Sequence, residues 1–256
     1  MIEIINSIRK YNFWDSNPID LGYPRTSYTD KIGQYVGNKL VKVLVGQRRA
    51  GKSYILRQIA SKLISEGVKS ENILYINKEY MELATLRSAV ELEQLYKAYR
   101  KALKPIGKVD IFIDEIQYID EWERFVNSHS QDFAENYEIF ITGSNSTMLS
   151  GELATLLSGR YVNFEIMPFS FSEYAGITNK TPDKAGFIEY MESGALPELF
   201  LLPNDETKRH YISATKDTVL LRDIIQRHNI KDAKLLEDIL FIWSIMLLIW
   251  FQCSTL

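Results

Sequence analysis

The sequence predicts an α/β fold in which a five-stranded parallel P-loop sheet is sandwiched by helices. Three observations predict it. Five short apolar runs alternate with helical stretches from Leu40 to Ile166, the pattern of a parallel sheet covered on both faces. The first run opens into G-x-x-x-x-G-K-S, a motif that joins a strand to a helix. After Pro168 the strand pattern stops and only helical patterns follow.

Taken in order, residues 1–38 are a mixed N-terminal segment with turn signals at Asn17-Pro18 and Gly22-Tyr23-Pro24. Leu40–Val45 is aliphatic and β-branched and predicts a buried strand. From Lys52, apolar residues at Ile55, Leu56, Ile59, Leu63 and Ile64 keep helical spacing, and Gly67 suits a C-cap. Asn72–Asn77 predicts the second strand. Met81–Leu103 reads as one helix, ended by Pro105 and Gly107, and Val109–Asp114 as the third strand. Asp120 with Glu123 predicts a capping box that opens a helix through Phe133. Glu138–Thr142 is the fourth strand, Thr147–Leu157 a helix and Tyr161–Ile166 the fifth strand. Ser170 with Glu173 predicts a second capping box, and further helices are expected over Asp183–Ser193 and Asp205–His228. The pattern change places a domain boundary near Met167, after a core over 39–167.

Composition narrows the function classes. Apolar residues make up 46% and charged residues 25% of 256, as in an ordinary globular protein. A net charge of −3 gives no support to a strongly basic nucleic-acid binder. One cysteine, Cys253, excludes an intramolecular disulfide framework or a thiolate metal cluster and suits a cytoplasmic location. The first residues carry no secretory signal pattern. His129, His210 and His228 are too scattered to predict a metal site.

Gly46-Gln47-Arg48-Arg49-Ala50-Gly51-Lys52-Ser53 supplies the main chemistry. Its glycines let the backbone curl so that N–H groups point at phosphate oxygens. The following helix adds its positive N-terminal end. Lys52 is expected on the β- and γ-phosphates and the Ser53 hydroxyl on Mg²⁺. Arg48 and Arg49 read as solvated loop side chains. The candidate nucleotide-binding set is Gly46, Arg49, Ala50, Gly51, Lys52, Ser53 and Tyr54.

Asp114-Glu115 closes the apolar run "VDIFID". Carboxylates at the carboxyl end of a parallel strand lie on the ligand side of the sheet. Asp114 is placed to hold the Mg²⁺ that Ser53 carries, and Glu115 to act as general base on water. "NKEY" at Asn77–Tyr80 is similar to the guanine-reading N-K-x-D signal, but Tyr80 replaces the aspartate. Adenine is therefore expected, and the cofactor set is ATP with Mg²⁺. The fourth strand ends in Thr142-Gly143-Ser144-Asn145, where a polar side chain would approach the γ-phosphate, and Asn145 also suits an N-cap. Arg160, between a helix and the fifth strand, is a candidate helix-end charge.

Four phrases in order carry a resemblance: "KLVKVLVGQRRAGKSYILRQI", "VDIFIDEIQYIDEWERFV", "IFITGSNSTMLSGELATLLSGRYVNFEIMPFSFSEY" and "TVLLRDIIQRHNIKDAKLLEDIL". They cover most of Lys39–Leu240. On them the chain resembles the AAA+ ATPases, in particular the prokaryotic "archaeal ATPase-like" group. The resemblance implies a helical lid and a partial winged-helix-like region over 168–238. It implies that Ser144 or Asn145 is the catalytic sensor, and that Arg160 is an arginine finger reaching a neighbouring subunit's nucleotide, hence a homo-oligomer. "SGALPELFL" falls where many relatives carry a lid arginine, and here Leu196-Pro197 stands instead. Relatives continue past the position of Leu240, so the resemblance also implies a C-terminal truncation.

The tail 239–256, "ILFIWSIMLLIWFQCSTL", has no charge and no amphipathic period. A membrane anchor needs about 20 apolar residues, and the tail falls short. A buried helix needs a partner. A shifted reading frame over "LFIWSIMLLIWF" would encode V-Y-L-V-D-N-V-A-N-L-V, restoring polar positions, and this reading ranks first. The expected function is Mg²⁺-dependent ATP hydrolysis with Arg160 acting in trans. The alternatives are a nucleotide-dependent switch recruiting a protein or DNA partner with little turnover, or an inactive truncated product.

Overall fold

The computed structural model describes residues 1–15, 18–143, 152–218, 224–225 and 230–253. Strands β1 (Val41–Val45), β2 (Ile73–Asn77), β3 (Val109–Asp114), β4 (Tyr137–Gly143) and β5 (Tyr161–Glu165) form one parallel sheet in the order β2-β3-β4-β1-β5. The register pairs Asn77 with Asp114, and Val45 with both Gly143 and Glu165. The carboxyl ends of the strands are thus level, and the loops that leave them share one rim.

Helices α1 (Ile2–Ile8), α2 (Thr26–Gly33), α3 (Lys52–Ser65), α4 (Ala89–Leu103), α5 (Trp122–Ser130) and α6 (Glu152–Leu156) cover the sheet. Strand alternation sorts the core into two layers. Val41, Val43, Ile111, Ile113 and Ile139 face one layer. Leu44, Tyr75, Phe112 and Phe140 face the other, where α3 brings Ile55, Leu56 and Ile59. Phe112 and Phe140 stack at 4.5 Å in the middle of that second face. On its amino side the same face buries Lys42, paired with Glu138, and Asp110. Burial and the neighbouring Lys108 push the Lys42 ammonium below its ordinary value, while Asp110 pulls the other way.

The mixed N-terminal segment holds two helices and an edge cover that its composition did not announce. Asn12 Nδ2 donates to Tyr75 O at 3.0 Å and Tyr75 N donates to Asn12 Oδ1 at 2.8 Å. Trp14 Nε1 donates to Ile73 O at 2.7 Å. Side chains thus occupy the open edge of β2, which would otherwise present unpaired backbone groups.

Two helix boundaries differ from expectation. Met81–Leu103 is not one helix: a 3₁₀ turn spans Met81–Leu83, and α4 starts afresh at Ala89 behind a Ser88–Glu91 capping box. Asp120 and Glu123 form no capping box. Asp120 N donates to Arg87 O at 2.7 Å and Ala89 N to Asp120 O at 2.9 Å, so this backbone is held in a parallel bridge. Glu121, in the left-handed region, takes the N-cap place instead, and α5 ends at Ser130, leaving Phe133 exposed. The Ser170–Glu173 box does form, at the start of α7 (Phe171–Thr178), and Asp183 caps α8 (Lys184–Ser193). A 3₁₀ turn follows at Pro197–Leu201.

The chain divides into two compact units, Met1–Leu201 and Leu202–Leu256. The second contains α9 (Asp205–Thr218) and α10 (Ala233–Cys253). The helix expected through His228 is described to Thr218. The charge-free tail continues the amphipathic segment before it as one helix to Cys253, with Leu240, Phe241, Trp243 and Met246 exposed. Among the described residues no helix is long and apolar enough to cross a membrane.

Candidate functional site

Between β1 and α3 the chain makes the predicted tight loop. Gly46 has φ +147°, and a Cβ there would stand 2.2 Å from Ile166 O. Gly51 has φ +91°, and Arg49 is also left-handed at +66°. These turns aim the loop back over the start of α3. Lys52, the first residue of α3, is buried, and its Nζ donates to Gly46 O at 2.9 Å and Gln47 O at 3.0 Å. Burial pushes its ammonium below the ordinary value, and Glu115 and Asp114 oppose that shift. Arg48 is not simply solvated: it is half-buried and donates to Tyr118 Oη at 3.0 Å.

The register of the sheet brings the acidic strand end to this loop. Asp114 is 0% exposed and accepts from Thr142 Oγ1 at 2.5 Å, Tyr75 Oη at 2.9 Å and Asn77 Nδ2 at 3.1 Å. Burial pushes its carboxyl up, and hydrogen bonds from Thr142, Ser53 and Tyr75 resist that. Ser53 hydroxyl and Asp114 carboxylate are therefore direct neighbours. Two adjacent hard oxygen ligands, one anionic, fit Mg²⁺. Glu115 follows in the left-handed region, its N–H donating to Thr142 Oγ1 at 2.9 Å and its carboxylate accepting from Gln117 Nε2. Glu79, at the end of β2, is raised first by burial and then by the charges of Glu115 and Asp114, so it belongs to the same electrostatic neighbourhood.

Beside Gly51 and Tyr54 lies a cavity of about 310 Å³, walled by Tyr23, Phe169, Pro197 and Phe200 with Asp20 and Glu198. Its near wall is residues 20–25, fastened to α3 by Gln58 and by Tyr54, whose Oη donates to Asp20. Gln58 Nε2 donates to Leu21 O and Tyr23 O at 2.7 Å each, and Gln58 Oε1 accepts from Arg25 N at 3.0 Å. Gly22 lies on the Tyr54 ring so closely that a Cβ would meet Tyr54 Cδ1 at 2.5 Å. Arg25, 2% exposed, ties the wall to the rest. Its guanidinium donates to Ala50 O at 3.0 Å, Met167 O at 2.9 Å and both Glu173 oxygens at 2.7 and 3.0 Å.

The structure thus brings together Gly46, Arg49, Ala50, Gly51, Lys52, Ser53, Tyr54, Asp114 and Glu115. It does not bring Arg160 to them. Arg160 O accepts from Val41 N at 3.0 Å, at the amino end of the sheet. The length of β1, about 13 Å at ~3.3 Å per residue, separates that end from the loop. Its side chain is exposed. Ser144 and Asn145 lie outside the described residues. Thr142 lies in the polar strand end that the sequence marked, although Ser144 and Asn145 were the residues chosen from it. Tyr75, Gln58, Arg25 and Glu198 were missed by sequence reasoning, and no local signal marked them.

A looped strand–helix junction with Lys52 and Ser53, backed by a buried Asp114-Glu115 pair at the carboxyl end of β3 in the same parallel sheet, defines a P-loop nucleotide-binding domain. The chain belongs to the AAA domain family, whose model matches residues 38–175. It is a nucleotide-binding, ATPase-like domain of that family. It is 37% identical over 221 residues to an uncharacterized protein of Haemophilus influenzae, covering 84% of this chain and 54% of that one. It is 34% identical to an uncharacterized protein of Methanocaldococcus jannaschii, covering 78% and 46%. The chain therefore spans about half the length of the curated relatives it matches. Among solved structures it is similar to a Walker-type ATPase of Pyrococcus abyssi, with TM-score 0.48 and 16% identity over 77% of this chain and 72% of that one. AMPPCP-bound DnaA from Aquifex aeolicus gives TM-score 0.46 and 12% identity over 85% and 73%.

Proposed function

We propose that this chain binds ATP with Mg²⁺ and hydrolyses it, in an assembly where Arg160 of one copy serves the site of the next. The observation that carries the reading is the meeting of the Lys52-Ser53 start of α3 with the buried Asp114 at the end of β3, with Glu115 next in the chain. Lys52 would hold the β- and γ-phosphate oxygens, exchanging its present carbonyl acceptors for charged ones. Ser53 and Asp114 would hold Mg²⁺, which when bound neutralises charge on the same phosphates. Glu115, fixed by Thr142 and Gln117, would accept the proton of the attacking water. The cavity beside Gly51 would take the base, between Tyr23 and the Pro197–Leu201 turn. Helices α7 and α8 with that turn would then act as a lid. Arg160 has no route to its own loop, which supports action on a neighbour's nucleotide.

The test is thermal unfolding with and without ATP and Mg²⁺. Ligand at 100 times its dissociation constant is expected to add about 2.7 kcal/mol, and Lys52→Ala is expected to remove that gain. An unchanged wild-type melting curve at millimolar ATP would contradict the reading.

A further inference from the structure

We infer that the N-terminal segment orients the metal-holding carboxylate of Asp114, acting through Asn12 and then Tyr75. The inference rests on the reading that Ser53 and Asp114 hold Mg²⁺ beside the phosphates. Asn12 stands outside the span shared with the AAA domain family, so the link joins that domain to a segment ahead of it.

Strand register brings Tyr75 within reach of Asp114. Asn77 pairs with Asp114, and Tyr75 pairs with Phe112. Tyr75 and Phe112 belong to the layer that α3 covers, and Asn77 and Asp114, each two residues on, point the same way. The offset from Tyr75 to Asp114 is ~6.6 Å along the strand, which a phenol spans. Tyr75 is buried, and its Oη donates to Asp114 Oδ2 at 2.9 Å. Asn77 Nδ2 donates to the same oxygen at 3.1 Å, and Thr142 Oγ1 donates to Oδ1 at 2.5 Å. Donors on both oxygens leave the carboxylate little freedom to turn, and hydrogen bonds of this kind hold metal ligands in their binding orientation.

Tyr75 differs from Asn77 and Thr142 in what fixes its backbone. β2 is the edge strand of the sheet, and the Tyr75 N–H and C=O both point outward from it. Asn12 takes both: its Oδ1 accepts from Tyr75 N at 2.8 Å and its Nδ2 donates to Tyr75 O at 3.0 Å. The same amide donates to Ile8 O at 3.1 Å, at the end of α1. Asn12 is 0% exposed. Without it these backbone groups lose their partners at the usual cost of buried polar groups left unmade, and the residue that carries the phenol loses its lateral anchor. Trp14 makes a comparable contact one step back along the edge, Nε1 to Ile73 O at 2.7 Å. The Ile73 side chain has no polar atom to offer Asp114.

The experiment measures the dissociation constant of the full chain for ATP in excess Mg²⁺ and again in EDTA. The ratio of the two is the Mg²⁺ enhancement, and it needs no turnover. Tyr75→Phe keeps the ring and removes the donor. It is expected to cut the enhancement roughly tenfold, the lower end of what such a partner is worth, and to leave the constant in EDTA unchanged. Asn12→Ala is expected to cut the enhancement as well. The double variant is expected to lose no more than Tyr75→Phe alone, because the two residues act in series. Trp14→Phe loosens the same edge, and is expected to lower stability and keep the enhancement. An unchanged enhancement in Tyr75→Phe or in Asn12→Ala overturns the inference, and the first of these tests stands whether or not Asn12→Ala folds. So does a double variant whose losses add, or a Trp14→Phe variant that loses as much as Asn12→Ala, the sign of a general loosening of the edge. A wild type that binds ATP equally with and without Mg²⁺ overturns the metal reading of Ser53 and Asp114, and this inference with it. A wild type that binds no ATP overturns the nucleotide reading of the whole site.

Discussion

Thr142 serves two acidic residues with a single hydroxyl. Its Oγ1 donates to Asp114 and accepts from the Glu115 N–H. That geometry holds Glu115 in the left-handed region, a conformation that costs about 1–3 kcal/mol without surrounding support. The Glu115 side chain is then set by Gln117, so the group proposed as general base is placed from two sides. Glu115→Gln preserves size and the contact to Gln117 and removes the proton acceptor. ATP affinity is expected to stay within a few-fold of wild type while turnover falls by roughly 10²–10⁴, the usual worth of a general base. Parallel measurement of the dissociation constant and of steady-state phosphate release checks this. If the two fell together, Glu115 would be a structural residue.

Among the elements, the joint made by Arg25 matters most. One guanidinium ties the N-terminal wall to the phosphate loop through Ala50 O, to the end of the sheet layer through Met167 O, and to α7 through Glu173. Arg25→Ala leaves Glu173 half-buried and without its cation, so a loss of about 3–5 kcal/mol is expected in urea unfolding. The joint also gives acid sensitivity. Burial raises Glu173, but the hydrogen bonds from Arg25 and the Ser170 N–H outweigh it and hold the carboxyl below its ordinary 4.5. A carboxyl depressed in the folded state contributes stability above its unfolded value, lost as pH falls through the folded one. The stability difference between wild type and Glu173→Gln is therefore expected to be full at neutral pH and to shrink below about 4.5. A difference that persists unchanged in acid would remove the ion pair from the account. This joint also marks what the sequence made legible. "LVKVLVGQRRAGKS" and "VDIFID" spell their strands and polar ends locally, because apolar runs and a glycine pattern are consecutive. Arg25 finds Glu173 across 148 residues and Gln58 holds a wall 35 residues away, and no local pattern encodes such contacts. The Ser88–Glu91 box was visible, but the apolar spacing of Met81–Leu103 ran straight over it.

For the molecule as a whole, the position of Arg160 is the test of how copies work together. Its backbone caps the amino end of β1, while Lys52 and Glu115 sit at the carboxyl end. A side chain there cannot complete its own site, but it can complete another's through a head-to-tail interface, which leaves one such contact between each pair of neighbours. The prediction separates this from a helix-end charge. Arg160→Ala alone is expected to keep ATP affinity and lose turnover, and Lys52→Ala alone to lose both. Mixed in equal amounts, the two variants form some interfaces in which an intact loop on the Arg160→Ala copy meets an intact Arg160 on the Lys52→Ala copy. Random assembly makes such interfaces roughly one quarter of the total, so turnover is expected to recover toward that fraction of wild type. Completion of the site between copies also predicts that wild-type turnover per molecule rises with protein concentration. The exposed apolar side chains of α10, Leu240, Phe241 and Trp243 among them, favour non-specific association as well. Recovery in the mixture is insensitive to that, because clustering alone restores no missing group. If the mixture stayed as inactive as its parts, Arg160 would be a surface charge at a helix end, and each copy would have to hydrolyse ATP with the groups on its own carboxyl rim.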